Sequence, residues 1–245
     1  MKAIIITSQR SGSNFLRHCL DSHPQVTCDG ELLIGGMVTP PRILQDRRLP
    51  AKIYKYLRAG AWRPVKILEG FLARNDAEVV AFKAMYNQLV NRRVVEFLRQ
   101  HTEIRVIHLR RDNLLKQYVS KLLIGKKRER RWQPHATHKV PVASTHVSAA
   151  AAIREMQRVR AEFENFERLL SQHRKIELVY EDMIDGQSLS DEATKAVCGL
   201  LELEARPMCC DYVKVNPNQL NVMVENYEEL AEALRGLPFE RFLDE

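Results

Sequence analysis

The chain has 245 residues, 45% of them hydrophobic and 28% charged, with a formal net charge of +7 and a pI near 9.2. Those values fit a soluble globular protein, favour one α/β domain over two, and point to an acidic partner: a nucleotide, a nucleic acid or an anionic membrane surface. No stretch approaches the roughly 20 apolar residues of a membrane span, and the apolar run at 3–6 is shorter than the roughly 7–15 residues of a secretory leader core, so a cytoplasmic protein is expected.

Residues 3–6, Ala-Ile-Ile-Ile, are β-branched and apolar and predict a buried parallel strand. Residues 8–13, Ser-Gln-Arg-Ser-Gly-Ser, are small or polar and suit a sharp turn that presents its N–H groups. From Asn14 the period changes, with Phe15, Leu16, Cys19 and Leu20 on one helix face. Strand, small-residue loop and helix N-terminus in that order make an anion site, because unpaired N–H groups and the positive end of the helix dipole converge on the loop. Arg10, Ser11 and Ser13 add a charge and donors, so a phosphate-like ligand is expected. The loop lacks the Gly-x-x-x-x-Gly-Lys-Ser/Thr spacing of an ordinary P-loop ATPase or GTPase.

The run Thr7-Ser8-Gln9-Arg10-Ser11-Gly12-Ser13-Asn14-Phe15-Leu16 resembles the 5′-phosphosulfate-binding loop of sulfotransferases that use 3′-phosphoadenosine 5′-phosphosulfate (PAPS). It is most similar to the bacterial branch that includes trehalose 2-sulfotransferase and the nodulation sulfotransferases. The resemblance implies one α/β domain over 1–245, with a central, mainly parallel sheet flanked by helices in a P-loop-like nucleotide-binding architecture. It also implies PAPS as donor substrate without a metal. Arg10, Ser11, Gly12, Ser13 and Asn14 would hold the phosphosulfate, and Phe15 occupies the position of an aromatic near the adenine.

Asp21-Ser22-His23-Pro24 stops the first helix, and Val26-Thr27-Cys28 predicts a short strand. Glu31 then falls at its carboxyl end, the ligand-binding edge of a parallel α/β sheet. Resemblance gives a Glu here the role of general base; His23, in the same loop, and Asp29 are competitors for that role, and His23 is also a candidate contact to acceptor or sulfate. Residues 35–65 are the least patterned stretch and read as an insertion over the site. The strand Glu78-Val79-Val80-Ala81-Phe82-Lys83 leads into Phe82-Lys83-Ala84-Met85-Tyr86-Asn87-Gln88, a segment similar to one common in the family, which makes Lys83 another candidate contact to sulfate or acceptor.

After an amphipathic helix over about 91–100, Ile104-Arg105-Val106-Ile107-His108-Leu109 predicts a strand, Arg110-Arg111 its end, and Asp112 or Asn113 the cap of the next helix. This arrangement is similar to the family's 3′-phosphate motif, with Arg111 at the strand end and Ser120 on the helix. The two stand nine apart where much of the family has eight, which leaves Arg110 and Arg111 both open as the phosphate contact.

Residues 121–148 carry the basic run Lys126-Lys127-Arg128-Glu129-Arg130-Arg131, then Trp132, His135, His138 and His146, and read as a mobile loop; by resemblance the region lines the acceptor entrance. A helix over 149–170 and a strand at 176–180 follow; by resemblance Tyr180 contacts the adenosine moiety. Lys214, before Asn216-Pro217, is by resemblance a late 3′-phosphate contact. A final helix from Val224 through Leu234 ends at Gly236. The five cysteines, Cys19, Cys28, Cys198, Cys209 and Cys210, lack zinc-ribbon spacing and read as reduced thiols, with Cys209-Cys210 structural.

The first functional reading is therefore sulfuryl transfer from PAPS to a hydroxyl of a carbohydrate, glycolipid or other small metabolite. A divergent P-loop nucleotide-phosphate kinase would need a metal ligand at a strand end, and none is evident. A non-catalytic nucleic-acid module would use the basic run as a backbone-binding patch. No nucleic acid or membrane span is expected on the first reading, and a homodimer is left open.

Overall fold

The computed structural model describes residues 1–33, 64–129, 144–211 and 219–243. Its centre is a five-stranded sheet in the order β2–β3–β1–β4–β5, formed by β1 (Lys2–Thr7), β2 (Val26–Glu31), β3 (Val79–Met85), β4 (Arg105–Arg110) and β5 (Lys175–Val179). All four neighbouring pairs are parallel.

Parallel neighbours need crossovers, and crossovers cover both faces with helices, which is why β1 is apolar without alternation. Ile4, Ile5 and Ile6 have no exposed area. Ala3 and Ile5 join the layer of α1 (Ser13–Asp21), where Leu16 and Leu20 pack. Ile4 and Ile6 face the opposite layer, which contains Phe71 of α2 (Pro64–Leu72) and Leu98 of α3 (Arg92–Gln100). Each fully buried side chain of this size contributes roughly 1.5–3 kcal/mol, so β1 is firmly anchored in the sheet.

From β4 the chain enters α4 (Leu114–Glu129), and α5 (Ala149–Leu169) returns it to β5, with Phe166 in the α2–α3 layer. A two-stranded hairpin, β6 (Ile184–Asp185) and β7 (Ser188–Leu189), precedes α6 (Asp191–Leu201), which packs Val197 and Leu201 beside α1. A third apolar cluster joins Leu115 and Val119 of α4 to Met156 of α5, and adds Leu220 of α7 (Leu220–Met223), Leu230 of α8 (Tyr227–Leu234) and Phe242 of the 3-10 turn Glu240–Leu243.

The strand order positions the site. α1 leads from β1 toward β2, whereas α4 leads from β4 toward β5, so the chain departs in opposite directions from adjacent strands. That reversal leaves a crevice at the carboxyl ends of β1 and β4.

Three expectations differ from the structure. The tail is two helices, because Val224 is extended (φ −111°, ψ 116°), Thr145 pairs with it, and Asn226 turns its side chain to both backbone groups of Val147. The helix proper begins at Tyr227 and ends with Arg235 as its cap, while Gly236 follows at φ 73°. The stretch from 121 is not loop throughout: α4 runs to Glu129 and thus through the start of the basic run. Residues 34–63, Trp132, His135 and His138 lie outside the described residues, and Pro64 opens α2 at a position where its missing N–H costs nothing.

Asn113 anchors the tail to the site. It is 1% exposed; its Oδ1 accepts the Lys116 N–H at 2.8 Å and its Nδ2 donates to the Phe242 carbonyl at 2.9 Å. Asn113→Ala removes a helix cap and strands a buried carbonyl, so urea denaturation should show a loss of about 2–4 kcal/mol. A loss below about 1 kcal/mol would mean that apolar packing alone docks the tail.

Candidate active site

The loop at 8–12 joins β1 to α1 and is braced from within. Thr7 Oγ1 donates to the Leu109 carbonyl at 2.6 Å, fastening the end of β1 to β4. Ser11 Oγ donates to the Ser8 carbonyl at 2.8 Å and also meets the Thr7 hydroxyl, so this buried hydroxyl holds the turn. Arg10 and Gly12 both take positive φ, 66° and 85°. A Cβ on Gly12 would stand 2.2 Å from Cδ2 and 2.5 Å from Cε2 of Tyr180, so only glycine fits both the turn and the approaching ring. Gly12 precedes α1, and no side chain caps that helix. Ser13 is buried at the helix's first residue.

Two guanidinium groups meet at this loop. Arg10 Nε donates to Ser120 Oγ at 3.1 Å, and Arg111 Nη1 reaches the Arg10 carbonyl at 3.4 Å. The Arg111 guanidinium lies over the Tyr180 ring at 4.8 Å. Burial, and then the like charge of Arg111, push Arg10 below its usual range; burial also lowers Arg111, opposed by Tyr180 and Glu181. Arg110 turns elsewhere, to Glu177 and to Asp112 Oδ1 at 2.7 Å. Of the two arginines left open by the sequence, Arg111 is the one beside the loop.

Two further side chains complete this half. Gln117 Nε2 donates to Ser8 Oγ and to the Gln9 carbonyl, both at 2.6 Å, while among the described residues its buried Oε1 has no hydrogen-bond partner. Glu181 accepts the N–H groups of Asp112 at 2.8 Å and Asn113 at 3.3 Å, and its Oε1 lies 3.5 Å from Arg111 Nε.

Glu31 is the last residue of β2, opposite Lys83 of β3. Its carboxylate lies 3.3 Å from Lys83 Nζ and accepts from Gln88 Nε2 at 2.6 Å. Gln88 is itself fixed by accepting the Met85 N–H at 3.0 Å. Lys83 also donates to Asn14 Oδ1 in the first turn of α1, so Asn14, Lys83, Glu31 and Gln88 form one chain of contacts. Burial lowers the Lys83 ammonium below its usual range, opposed by the Glu31 carboxylate.

The remaining expected residues are placed as follows. Phe15 is half-buried against the α1 layer. His23 is not brought to this edge: α1 returns the chain to the amino edge of the sheet, where His23 is 2% exposed. Its Nδ1 accepts the Gln25 N–H at 3.3 Å and its Nε2 donates to the Glu204 carbonyl at 3.3 Å, so both ring nitrogens are engaged away from the Glu31 edge. Lys214 lies outside the described residues. Sequence reasoning passed over Thr7, Gln88, Gln117 and Glu181. Gln88 and Gln117 stood inside the matched segments and Glu181 directly follows Tyr180, which was the available signal.

A parallel sheet with an uncapped helix and two arginines at its switch point defines an α/β protein built to hold an anionic ligand. The chain belongs to the sulfotransferase family: the family model matches residues 3–207. That membership supports sulfuryl transfer in general. A sulfotransferase from Alicyclobacillus acidocaldarius has a similar structure, with a TM-score of 0.52, 11% identity, and coverage of 100% of this chain and 94% of that one, which shows the fold. No curated protein matches the chain.

Gly12→Ala should destabilise the protein by more than the ~1–2 kcal/mol of a left-handed alanine, because the methyl group also meets the Tyr180 ring. Adding Tyr180→Ala should make Gly12→Ala cheaper, leaving only the backbone part, as read in a double-mutant cycle by thermal unfolding. Strict additivity would show that the ring does not restrict the loop.

Proposed function

We propose that the protein transfers a sulfuryl group from PAPS to a hydroxyl of a carbohydrate, glycolipid or other small metabolite by in-line displacement. The observation that carries this reading is the convergence of Arg10, Arg111 and Ser120 on one uncapped helix N-terminus. The family generally uses PAPS as donor, and a 3′-phosphate and a 5′-phosphosulfate are the two anions that such a pair of arginines suits.

In this reading Arg10 and the start of α1, with Ser11, Gly12, Ser13 and Asn14, hold the phosphosulfate. Arg111 and Ser120 hold the 3′-phosphate, with Lys214 as a further contact. Phe15 and Tyr180 flank the nucleoside. The acceptor oxygen forms its bond to sulfur as the bond from sulfur to the bridging phosphate oxygen breaks. The electron pair moves onto the leaving phosphate, where Arg10 and the α1 dipole stabilise it. Glu31 takes the acceptor proton, and Lys83 faces the transferring group. Residues near 35–65 and 121–148 select the acceptor. A cytoplasmic setting is part of this reading; among the described residues no helix is long and apolar enough to cross a membrane.

The direct test is ligand-induced stabilisation. Adenosine 3′,5′-bisphosphate should raise Tm far more than AMP, since each charge-assisted bond to the extra phosphate is worth about 1.5–3 kcal/mol. Equal shifts would remove the 3′-phosphate assignment. With radiolabelled PAPS and a metabolite extract supplying the acceptor, Glu31→Gln should cut label transfer at least tenfold while adenosine 3′,5′-bisphosphate affinity stays near wild type, given the roughly 10²–10⁴ that a general base contributes. Retained transfer would take the base role away from Glu31.

A further inference from the structure

Glu181 puts a carboxylate inside the proposed donor site, beside Arg111. Its two carboxylate oxygens each accept one N–H at the start of α4, from Asp112 at 2.8 Å and Asn113 at 3.3 Å. Backbone N–H groups at a helix N-terminus are the groups that bind phosphate elsewhere, and here a carboxylate from the loop after β5 fills them. The same carboxylate lies 3.5 Å from Arg111 Nε, close enough for attraction but too long for a strong hydrogen bond, and among the described residues that buried Nε has no hydrogen-bond partner. Glu181 therefore balances charge on Arg111 without saturating its donors, and Nη1 stays turned to the loop.

The charge count makes the contact consequential. Arg10 and Arg111 lie together, largely out of water, and among the described residues no carboxylate pairs with Arg10 and only Glu181 pairs with Arg111. With Glu181 the pair carries a net charge of about +1, and without it about +2, at a site where water screens poorly. An arriving phosphate meets a guanidinium that is already partly neutralised, and Glu181 repels it.

We propose that Glu181 is a resident counter-anion that stabilises the empty site and sets how tightly it holds the donor's 3′-phosphate. This rests on the reading that Arg111 and Ser120 meet that phosphate. The desulfated nucleotide keeps its 3′-phosphate, so unopposed affinity there would hold the product as firmly as the donor. A fixed negative charge beside Arg111 weakens both and lets the product leave.

The test is a binding titration of adenosine 3′,5′-bisphosphate and of AMP against wild type, Glu181→Gln and Glu181→Asp, with the Tm of each ligand-free protein. Glu181→Gln removes the charge but keeps an acceptor for α4. It should lower the ligand-free Tm while tightening adenosine 3′,5′-bisphosphate about tenfold and AMP far less. Opposite signs in the two readouts separate a counter-anion from a brace, whose loss would weaken both. Glu181→Asp keeps a carboxylate near the helix but withdraws it from Arg111, and should tighten the bisphosphate by about two- to threefold, which gives an answer even where the Gln variant does not fold. Bisphosphate binding in either variant that is equal to or weaker than wild type, with wild type still preferring it to AMP, overturns the counter-anion role. Wild type that does not distinguish the two nucleotides overturns the 3′-phosphate reading beneath it.

Discussion

The close approach of the Tyr180 ring to Gly12 governs the carboxyl edge of the sheet. Tyr180 N donates to the Arg110 carbonyl at 2.8 Å, extending the β4–β5 ladder one residue past the strand. Strand register thus fixes the ring, and the ring leaves no room for a side chain at position 12. The same ring carries the Arg111 guanidinium, 4.8 Å from its centroid. Contact with the loop glycine and with this cation makes Tyr180 the common wall of loop and strand end. Arg10 is held at φ 66° in the turn beside it, a left-handed geometry that costs a non-glycine residue roughly 1–2 kcal/mol and persists only because the surroundings determine it.

Charge at this edge falls into two groups because the sheet order separates their strands. Arg10, Arg111 and Ser120 gather over β1 and β4, while Lys83, Glu31 and Gln88 gather over β2 and β3. The first turn of α1 belongs to both, through the loop on one side and Asn14 on the other. In the proposed reaction these are the donor and acceptor halves, and the shared helix turn lies where sulfur must pass between them. The first group has a surplus of positive charge and the second is internally balanced. An anionic donor suits the first, and a neutral hydroxyl acceptor suits the second.

The central strands were legible because fully buried parallel strands read as apolar runs, and the loop was legible because small residues followed one of them. Register also carried Glu31 and Lys83 correctly to one edge, where the structure pairs them. His23 was misplaced because sequence proximity to Glu31 was taken for spatial proximity. A helix intervenes, and nine residues of α1 are enough to reach the opposite edge of the sheet. The choice between Arg110 and Arg111 depended on which carboxylates lay nearby, Glu177 or Glu181, and those come from β5 and its loop. Contacts of that range are absent from any local pattern. The broken tail was missed for the same reason: Asn226 serves Val147, far away in sequence, instead of continuing a helix.

Behind the edge, a polar chain that runs from buried Tyr86 and His108 to half-buried Glu167 and Lys175 braces the two groups. Tyr86, just past β3, contacts His108 Nε2 of β4 at 2.8 Å; His108 Nδ1 reaches Glu167 of α5, which pairs with Lys175 of β5 at 2.5 Å. Burial pushes His108 down and Tyr86 up, which favours the neutral form of each; in that form the tyrosine hydroxyl donates to Nε2 and Nδ1–H donates to the carboxylate. Phe166 stacks on Tyr86 at 4.8 Å and Phe163 on His108 at 4.4 Å, which fixes the rings as well as their hydrogen bonds. Apolar residues of equal volume would fill the same space with fewer directional demands. A satisfied polar chain across β3, β4, β5 and α5 instead admits one arrangement, because any slip leaves a buried donor or acceptor unpaired at about 1–3 kcal/mol. Gln88 and Arg111 each stand two or three residues beyond a member of that chain. The positions of Glu31 and of the arginine pair are therefore set by the interior of the sheet as much as by the loop that carries them.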